Sequence, residues 1–367
     1  MKIYLVGGAV RDRLLGLSPM EQDWVVVGAT EEEMRRQGFR QEVGGFPVFR
    51  HPETGEEYAL ARTETKIGPG YTGFSVDAGP NITLEQDLQR RDLTINALAE
   101  DEAGNLIDRF GGRADLKQGV LRHITPAFSE DPVRVLRVAR FAARFDFRVA
   151  PETAELLRQM AASDDLRALR PERVWRELER ALRERHPGRF FEVLEECGAL
   201  AVLLPELTTA PRDGLERAAG LTSDPAVRFA ALMGTVLAEG SSPTELCRRW
   251  RVPGDYCELL ELTLRDGPLF RAAAEGETEA ILELLHVTRA QQQPERFQRF
   301  VQTGSALWPQ FAETACANLE LGLKVIRSVS TAELGEAGLQ GAELGQELKR
   351  RQRAALQQAL TENRSHP

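Results

Sequence analysis

The chain has 367 residues, 42% of them hydrophobic and 28% charged, with a formal net charge of −9. This is the mix of a globular protein of two to four domains with ample material for a core. No apolar run approaches the ~20 residues of a membrane span, and the acidic balance argues against a general nucleic-acid coat.

The first expected strand, Lys2–Val6, opens onto Gly7 and Gly8 within the run LVGGAVRD. Residues 3–6 are too short for a signal peptide and lead into Gly-Gly and Arg-Asp, so no leader is expected. With no Cβ in the way, the N–H groups of Gly7 and Gly8 can approach a polyphosphate. Arg11 adds a planar fork suited to phosphate oxygens, and a helix is expected after Val10. Glu21 and Asp23 lead into an expected strand over 24–27. Alternate residues of a strand share a face, so both carboxylates can hold a hard divalent cation. A lone Gly-Gly is most often a turn, and a lone acidic pair is usually solvated surface. Together at this spacing they are the equipment of metal-assisted nucleotidyl transfer. No G-x-G-x-x-G follows the first strand and no GxxxxGK[ST] occurs, which argues against a dinucleotide fold and a P-loop.

Strands over 47–50, 58–62 and 106–109 and a helix over 92–98 complete an expected α+β domain. Residues 63–80, with Gly68, Pro69, Gly70 and Gly73, read as a long loop of the kind that carries function. From Pro126 onward the pattern is helical. EDPVRVLRVARFAARF (130–145) has the apolar spacing of a largely buried amphipathic helix. PERVWRELERAL (171–182) starts with Pro171 at a first helical position. Residues 131–190 hold 14 Arg, no Lys and 10 acidic residues. Arg-only usage suits phosphate and base-edge recognition; the plainer alternative is a solvated face of ion pairs. Helices beyond Gly198 are weaker and broken by Gly, Ser and Pro, and a charged helix is expected over 338–361. The four cysteines form no C-x-x-C pair, and buried reduced thiols are expected.

In this order LVGGAVRD, RRDLTINALA (90–99), EDPVRVLRVARFAARF and PERVWRELERAL closely resemble the bacterial CCA-adding enzymes, class II tRNA nucleotidyltransferases of the DNA polymerase β superfamily. The resemblance runs from Met1 to about Leu204 and returns at GLQGAELGQELKRRQ (338–352). It implies a polymerase β-like head with a mixed sheet over 1–125, a helical neck over 126–204, and a helical body and tail over 205–367. It also implies CTP, ATP and the tRNA 3′ end as partners and Mg²⁺ as cofactor; a monomer is expected, an oligomer being the alternative, with no membrane association and a cytoplasmic location. Gly8 and Arg11 would hold the triphosphate, and Glu21 and Asp23 would bind Mg²⁺. Position 21 departs from the commoner Asp, which alters the stem length of that ligand. Glu57 is a candidate third carboxylate. Arg91 and Asp92 would meet the ribose and phosphates.

Asp131 and Arg134 share a helix face if the helix has begun by then. A carboxylate accepts from an exocyclic amine, and a guanidinium donates to a ring nitrogen. Cytosine and adenine both present an amine beside an acceptor nitrogen; uracil and guanine present the reverse. One Asp/Arg pair can therefore accept C and A and reject U and G, which is how the family uses this motif. Arg137 and Arg140 continue the face and in the family contact the nucleotide. Residues 62–74 (RTETKIGPGYTGF) look like the family's loop that switches specificity from C to A.

Many relatives carry a metal-dependent phosphohydrolase domain built on a His-Asp pair. The five histidines here precede Pro, Ile, Pro, Val and Pro, and Met233-Gly234 stands where that pair would lie. No such metal site is expected. A bacterial poly(A) polymerase shares the head and neck, but GFPVFRHPETGEEYALART (45–63) matches the CCA-adding enzymes better. A non-catalytic tRNA-binding descendant would not need Arg11, Asp23 and Arg134 intact.

Overall fold

The computed structural model describes the chain except residues 43–46, 69–73, 330–339 and 366–367, and Met20, Ile67 and Ala210. The chain divides into two compact units, Met1–Ala181 with Arg189–Thr208 and Leu182–Gly188 with Thr209–Pro367.

The first unit begins with β1 (Lys2–Val6), α1 (Gly8–Leu14), β2 (Asp23–Val27), α2 (Glu31–Arg36), β3 (Arg40–Gln41), β4 (Val48–Arg50) and β5 (Glu57–Leu60). A hairpin of β6 (Arg62–Lys66) and β7 (Phe74–Ala78) precedes α3 (Leu84–Gln89), β8 (Leu98–Asp101) and β9 (Leu106–Asp108). Seven strands form one sheet in the order β3-β4-β5-β2-β1-β8-β9. The β2–β5 pairing is parallel and its neighbours are antiparallel, so the sheet is mixed, as expected. Val6 pairs opposite Asp23, and Asp23 opposite Glu57. This register gathers the end of β1 and the starts of β2 and β5 at one end of the three central strands. Beneath it Val26, Met34, Phe49, Tyr58 and Leu60 form a buried cluster.

Helices then dominate: α4 (Gly112–Gln118), α5 (Val133–Phe145), α6 (Pro151–Ala161), α7 (Asp164–Arg167), α8 (Pro171–Arg183), α9 (Gly188–Glu196) and α10 (Ala199–Leu203), with short strands β10 (Val120–Leu121) and β11 (Arg148–Val149) pairing in parallel. Val135, Leu136, Val138, Ala139 and Ala142 of α5 are fully buried, as the apolar spacing predicts.

Two expectations about the elements of the first unit need correction. The helix over 92–98 is only a 3-10 turn at Thr94–Asn96 leading into β8. The Asp92 carboxylate accepts from the Leu93 N–H and from Asn96 Nδ2, both at 2.8 Å, which holds the backbone out of an α-helix. The helix lies earlier, at α3, started by a capping box between Thr83 and Gln86. The expected loop over 63–80 is largely the β6–β7 hairpin, with Arg62 paired opposite Ala78 and Thr63 opposite Asp77. Its tip lies outside the described residues.

The second unit contains α11 (Asp213–Leu221), α12 (Pro225–Met233), α13 (Thr244–Trp250), α14 (Gly254–Ala274), α15 (Thr278–Val287), α16 (Pro294–Leu307), α17 (Pro309–Ser328) and α18 (Gly341–Ser365). Pro268 lies within α14 and cannot donate to Leu264 O; the Gly240 N–H does so instead, at 2.9 Å. A Cβ on Gly267 would stand 2.5 Å from the Trp308 ring, so glycine is required where that ring packs. Cys247 and Cys257 form a disulfide, because the α13–α14 turn brings their Cα atoms to 6.2 Å. That corrects the expectation of four reduced thiols; Cys197 and Cys316 are free. Among the described residues no helix is long and apolar enough to cross a membrane.

Candidate functional site: an arginine-lined cleft

A cleft of about 1140 Å³ in the first unit is lined by Gly7, Gly8, Asp23, Glu57, Arg91, Asp131 and Arg134, among others. Its floor is the strand ends aligned by the β1–β2–β5 register. Gly7 has φ +68°, a left-handed conformation that glycine adopts without strain. A Cβ there would stand 2.7 Å from Arg91 Nη1. At Gly8 a Cβ would meet nothing closer than Arg11 Nη2 at 3.5 Å. The tight packing demand therefore falls on Gly7, while Gly8 opens α1, whose first N–H groups lack intrahelical acceptors.

Arg11 lines the cleft but is only 4% exposed. Its Nε donates to Asp12 Oδ1 at 2.9 Å and its Nη1 to Asn96 Oδ1 at 2.5 Å. The rings of Phe141 and Phe145 lie 5.2 and 4.9 Å from its guanidinium carbon. Burial lowers its pKa, and Asp12 opposes that shift.

Asp23 stands first in β2, and Glu21 precedes the strand instead of sharing its face. Asp23 keeps contact with solvent, yet desolvation by surrounding protein pushes its carboxyl up. Arg91 opposes the rise and the charge of Glu21 adds to it. Two carboxylates that repel each other suit a hard cation, which relieves the repulsion. Glu57 also lines the cleft, but it pairs with Arg50 at 2.8 Å. Glu21 is not among the lining residues. No group of three or more His, Cys, Asp or Glu converges among the described residues. The repelling pair of Asp23 and Glu21 fits a hard cation that completes its shell with water and substrate phosphate oxygens.

Asp131 precedes α5 in extended conformation (φ −115°, ψ 104°), so it does not share a helix face with Arg134. Its Oδ1 accepts from the Val133 N–H at 3.2 Å and its Oδ2 from Arg173 Nη2 at 3.2 Å. Arg134 donates to Arg90 O at 2.8 Å and Ala127 O at 3.3 Å. Both side chains line the same cleft. Arg137 binds Asp92 Oδ2 through Nε at 2.7 Å. Asp92 is 6% exposed; burial alone would raise its carboxyl, but Arg137 and Asn96 hold it far below the usual carboxylate range. Arg140 Nε meets Glu177 of α8 at 2.7 Å with both buried.

The motif reading passed over Asp87 and Arg144. Asp87 is buried behind the RRD run, and Arg144 Nη2 reaches Asp12 Oδ2 at 2.8 Å. The three-to-four-residue recurrence from Arg134 through Arg137 and Arg140 could have found Arg144; Asp87 carries no sequence signal.

Residues 3–122 match the family model described as the poly A polymerase head domain, and residues 146–210 the one described as a probable RNA and SrmB-binding site of polymerase A. The chain is 45% identical over 407 residues to the multifunctional CCA protein of Nitrosococcus oceani, covering 98% of this chain and 99% of that one. It is 46% identical to the CCA-adding enzyme of Coxiella burnetii, covering 95% and 93%. Its fold matches the Bacillus stearothermophilus CCA-adding enzyme in complex with CTP with a TM-score of 0.67, at 24% identity over 99% of this chain and 93% of that one.

Proposed function

The chain belongs to the CCA-adding enzymes, and from that membership we propose how its own residues divide the family's chemistry. The protein adds the terminal CCA of tRNA, template-independently, from CTP and ATP. The tRNA 3′-hydroxyl attacks the nucleotide α-phosphate, and pyrophosphate leaves. The enzyme works with a divalent metal; our reading is Mg²⁺, held by Asp23 and Glu21. When bound, the metal supplies a lowered hydroxyl pKa and charge neutralisation at the phosphates.

In this reading the backbone at Gly8, with Arg11 and Arg91, receives the triphosphate. The Asp131 carboxylate accepts from the exocyclic amine of C or A, and Arg134 donates to the adjacent ring nitrogen. Each now satisfies a protein group, Arg173 for Asp131 and Arg90 O for Arg134. Those bonds hold the two side chains in place, and a base edge would meet their remaining N–H groups and lone pairs. Arg137 and Arg140 back the helix that carries Arg134, through Asp92 and Glu177. The protein contributes position and electrostatics, and no Ser or Cys nucleophile is needed. Residues 1–125 act as the nucleotidyltransferase head, 126–204 as the neck that reads the base, and 205–367 as body and tail. The tRNA substrate assigns the work to the cytoplasm.

The observation that carries this reading is the meeting of Gly7, Gly8, Asp23, Asp131 and Arg134 around one cleft. The test is incubation with tRNA lacking its terminal triplet. CTP and ATP together should add three nucleotides ending in A. CTP alone should stop after two. ATP alone should add one A to a tRNA ending in CC. Tails of many A residues would support a poly(A) polymerase, and arrest after CC with both nucleotides would mark a CC-adding enzyme. No extension would mark a non-catalytic tRNA-binding protein.

A further inference from the structure

Resting on the nucleotide roles of Arg91 and Arg134 given above, we propose that Asp87 is a positioning residue for nucleotide selection: it sets Arg91 toward the phosphate cradle and, through Arg90, holds Arg134 at the base site.

Asp87 sits on α3 with no exposed surface, and it is not among the residues lining the cleft. A buried carboxylate is costly unless its oxygens are satisfied by charged donors. Here four donors converge on it. The Arg62 main-chain N–H reaches Oδ1 at 3.2 Å. Arg90 reaches the same oxygen through Nε at 3.1 Å and Nη2 at 2.8 Å. Arg91 Nη2 reaches Oδ2 at 3.2 Å.

Each arginine has a second end that faces the site. The space a Cβ on Gly7 would fill lies 2.7 Å from Arg91 Nη1, so this guanidinium borders the phosphate cradle directly. Its Nε is buried with no partner among the described residues, a donor left for a ligand oxygen. The Arg90 side chain turns back to the β6 strand, to Arg62 O at 3.1 Å and Glu64 Oε1 at 2.8 Å. This fixes its main chain, whose carbonyl accepts from Arg134 Nη2 at 2.8 Å. One carboxylate outside the cleft thus sets a phosphate-facing cation and a base-facing cation together. A purely structural Asp87 would tie α3 to β6 and affect stability alone.

The test compares full-length Asp87→Asn, Asp87→Glu and Leu88→Ala with the parent protein. Leu88 is fully buried on the same helix and touches neither arginine by charge, so it reports loss of packing alone. Thermal midpoints, kcat and KM for CTP and ATP, and incorporation of UMP and GMP relative to CMP and AMP are measured. Asp87→Asn should raise KM for both nucleotides about tenfold, with a smaller fall in kcat, and raise misincorporation by a similar factor. Asp87→Glu keeps the charge and should fall between the parent and Asp87→Asn; it carries the test if Asp87→Asn does not fold. Leu88→Ala should lower the midpoint and leave KM and the incorporation ratio unchanged. Unchanged KM and ratio in the Asp87 variants, or the same changes in Leu88→Ala, would overturn the inference. Arg91→Ala and Arg134→Ala, assayed alongside, separate the two layers. If these also change nothing, the reading of the nucleotide site fails; if they respond and Asp87 does not, only the Asp87 inference fails.

Discussion

Arg144 of α5 donates through Nη2 to Asp12 Oδ2 of α1 at 2.8 Å, closing a line of six side chains. Asp12 holds Arg11, Arg11 binds Asn96, Asn96 binds Asp92, and Asp92 holds Arg137, again on α5. The helix that carries Arg134 is therefore tied at two points to the elements that form the phosphate cradle. Relaxing any link shifts base recognition relative to phosphate binding, and a small misplacement is enough to slow a reaction that depends on positioning.

Asp92 ties the stability of this line to pH. Its folded pKa is depressed, so its contribution to stability is present above the unfolded carboxylate pKa of about 3.9 and is lost as pH falls toward the folded value. Thermal midpoints should therefore show no Asp92 contribution to their pH dependence between pH 5 and 8 and a decline below about pH 4. Asp92→Asn should remove that part of the acid decline. It should also destabilise at neutral pH by about 3 kcal/mol, because Arg137 is left without its buried partner. Denaturant midpoints at pH 7 and pH 3.5 check both signs.

Asp23→Ala should abolish nucleotide addition while leaving tRNA binding nearly intact. Losing several kcal/mol of charge stabilisation lowers kcat by roughly a thousandfold or more. Glu21→Asp should keep near-parental turnover. Single-turnover addition and filter binding measure the two effects, and active Asp23→Ala would remove the metal assignment.

Arg134→Ala should damage selection more than fold. The lost hydrogen bond is worth roughly 1–3 kcal/mol of base discrimination, so UMP and GMP incorporation should rise relative to CMP and AMP. A constant ratio would exclude Arg134 from base recognition.

Gly7→Ala should cost about 1–2 kcal/mol of backbone strain at φ +68°. It should also displace Arg91, whose Nη1 is 2.7 Å from the added carbon. Raised KM for both nucleotides is expected, whereas Gly8→Ala should move the Arg91 side chain little. Nucleotide affinities of the two variants, compared directly, check the contrast.

Hydrolysis of phosphate monoesters or 2′,3′-cyclic nucleotides with added Ni²⁺ or Mg²⁺ should be absent from the purified protein. Met233 and Gly234 offer no imidazole or carboxylate. Copurifying hydrolysis would require a different account of residues 205–367.

Much of the head was legible in the sequence. Gly7, Gly8 and Asp23 follow from local chain chemistry, and α5 from its apolar spacing. What escaped depends on contacts remote along the chain. The 92–98 segment has helical composition, but Asp92 bonds locally to Leu93 and Asn96 and is held by Arg137, which is 45 residues away. The β6–β7 strands lie around a Gly- and Pro-rich tip that reads as loop. Asp131 and Arg134 were recognised as a pair by spacing, yet the helix starts two residues after Asp131. The Cys247–Cys257 bond depends on a turn that cysteine spacing does not reveal.

Every cationic side chain lining the cleft, among the described residues, is an arginine. Guanidinium groups keep their protons across the whole working range of an enzyme, so the positive charge of the cleft is constant where lysines or histidines would titrate. Any alkaline limb in the rate profile then belongs to the substrate hydroxyl and the nucleotide, not to these cations. The same fact sets the protein's chemical vulnerability. Amine-acylating reagents should leave the cleft untouched, whereas arginine-directed dicarbonyls should inactivate it, and bound nucleotide should protect it.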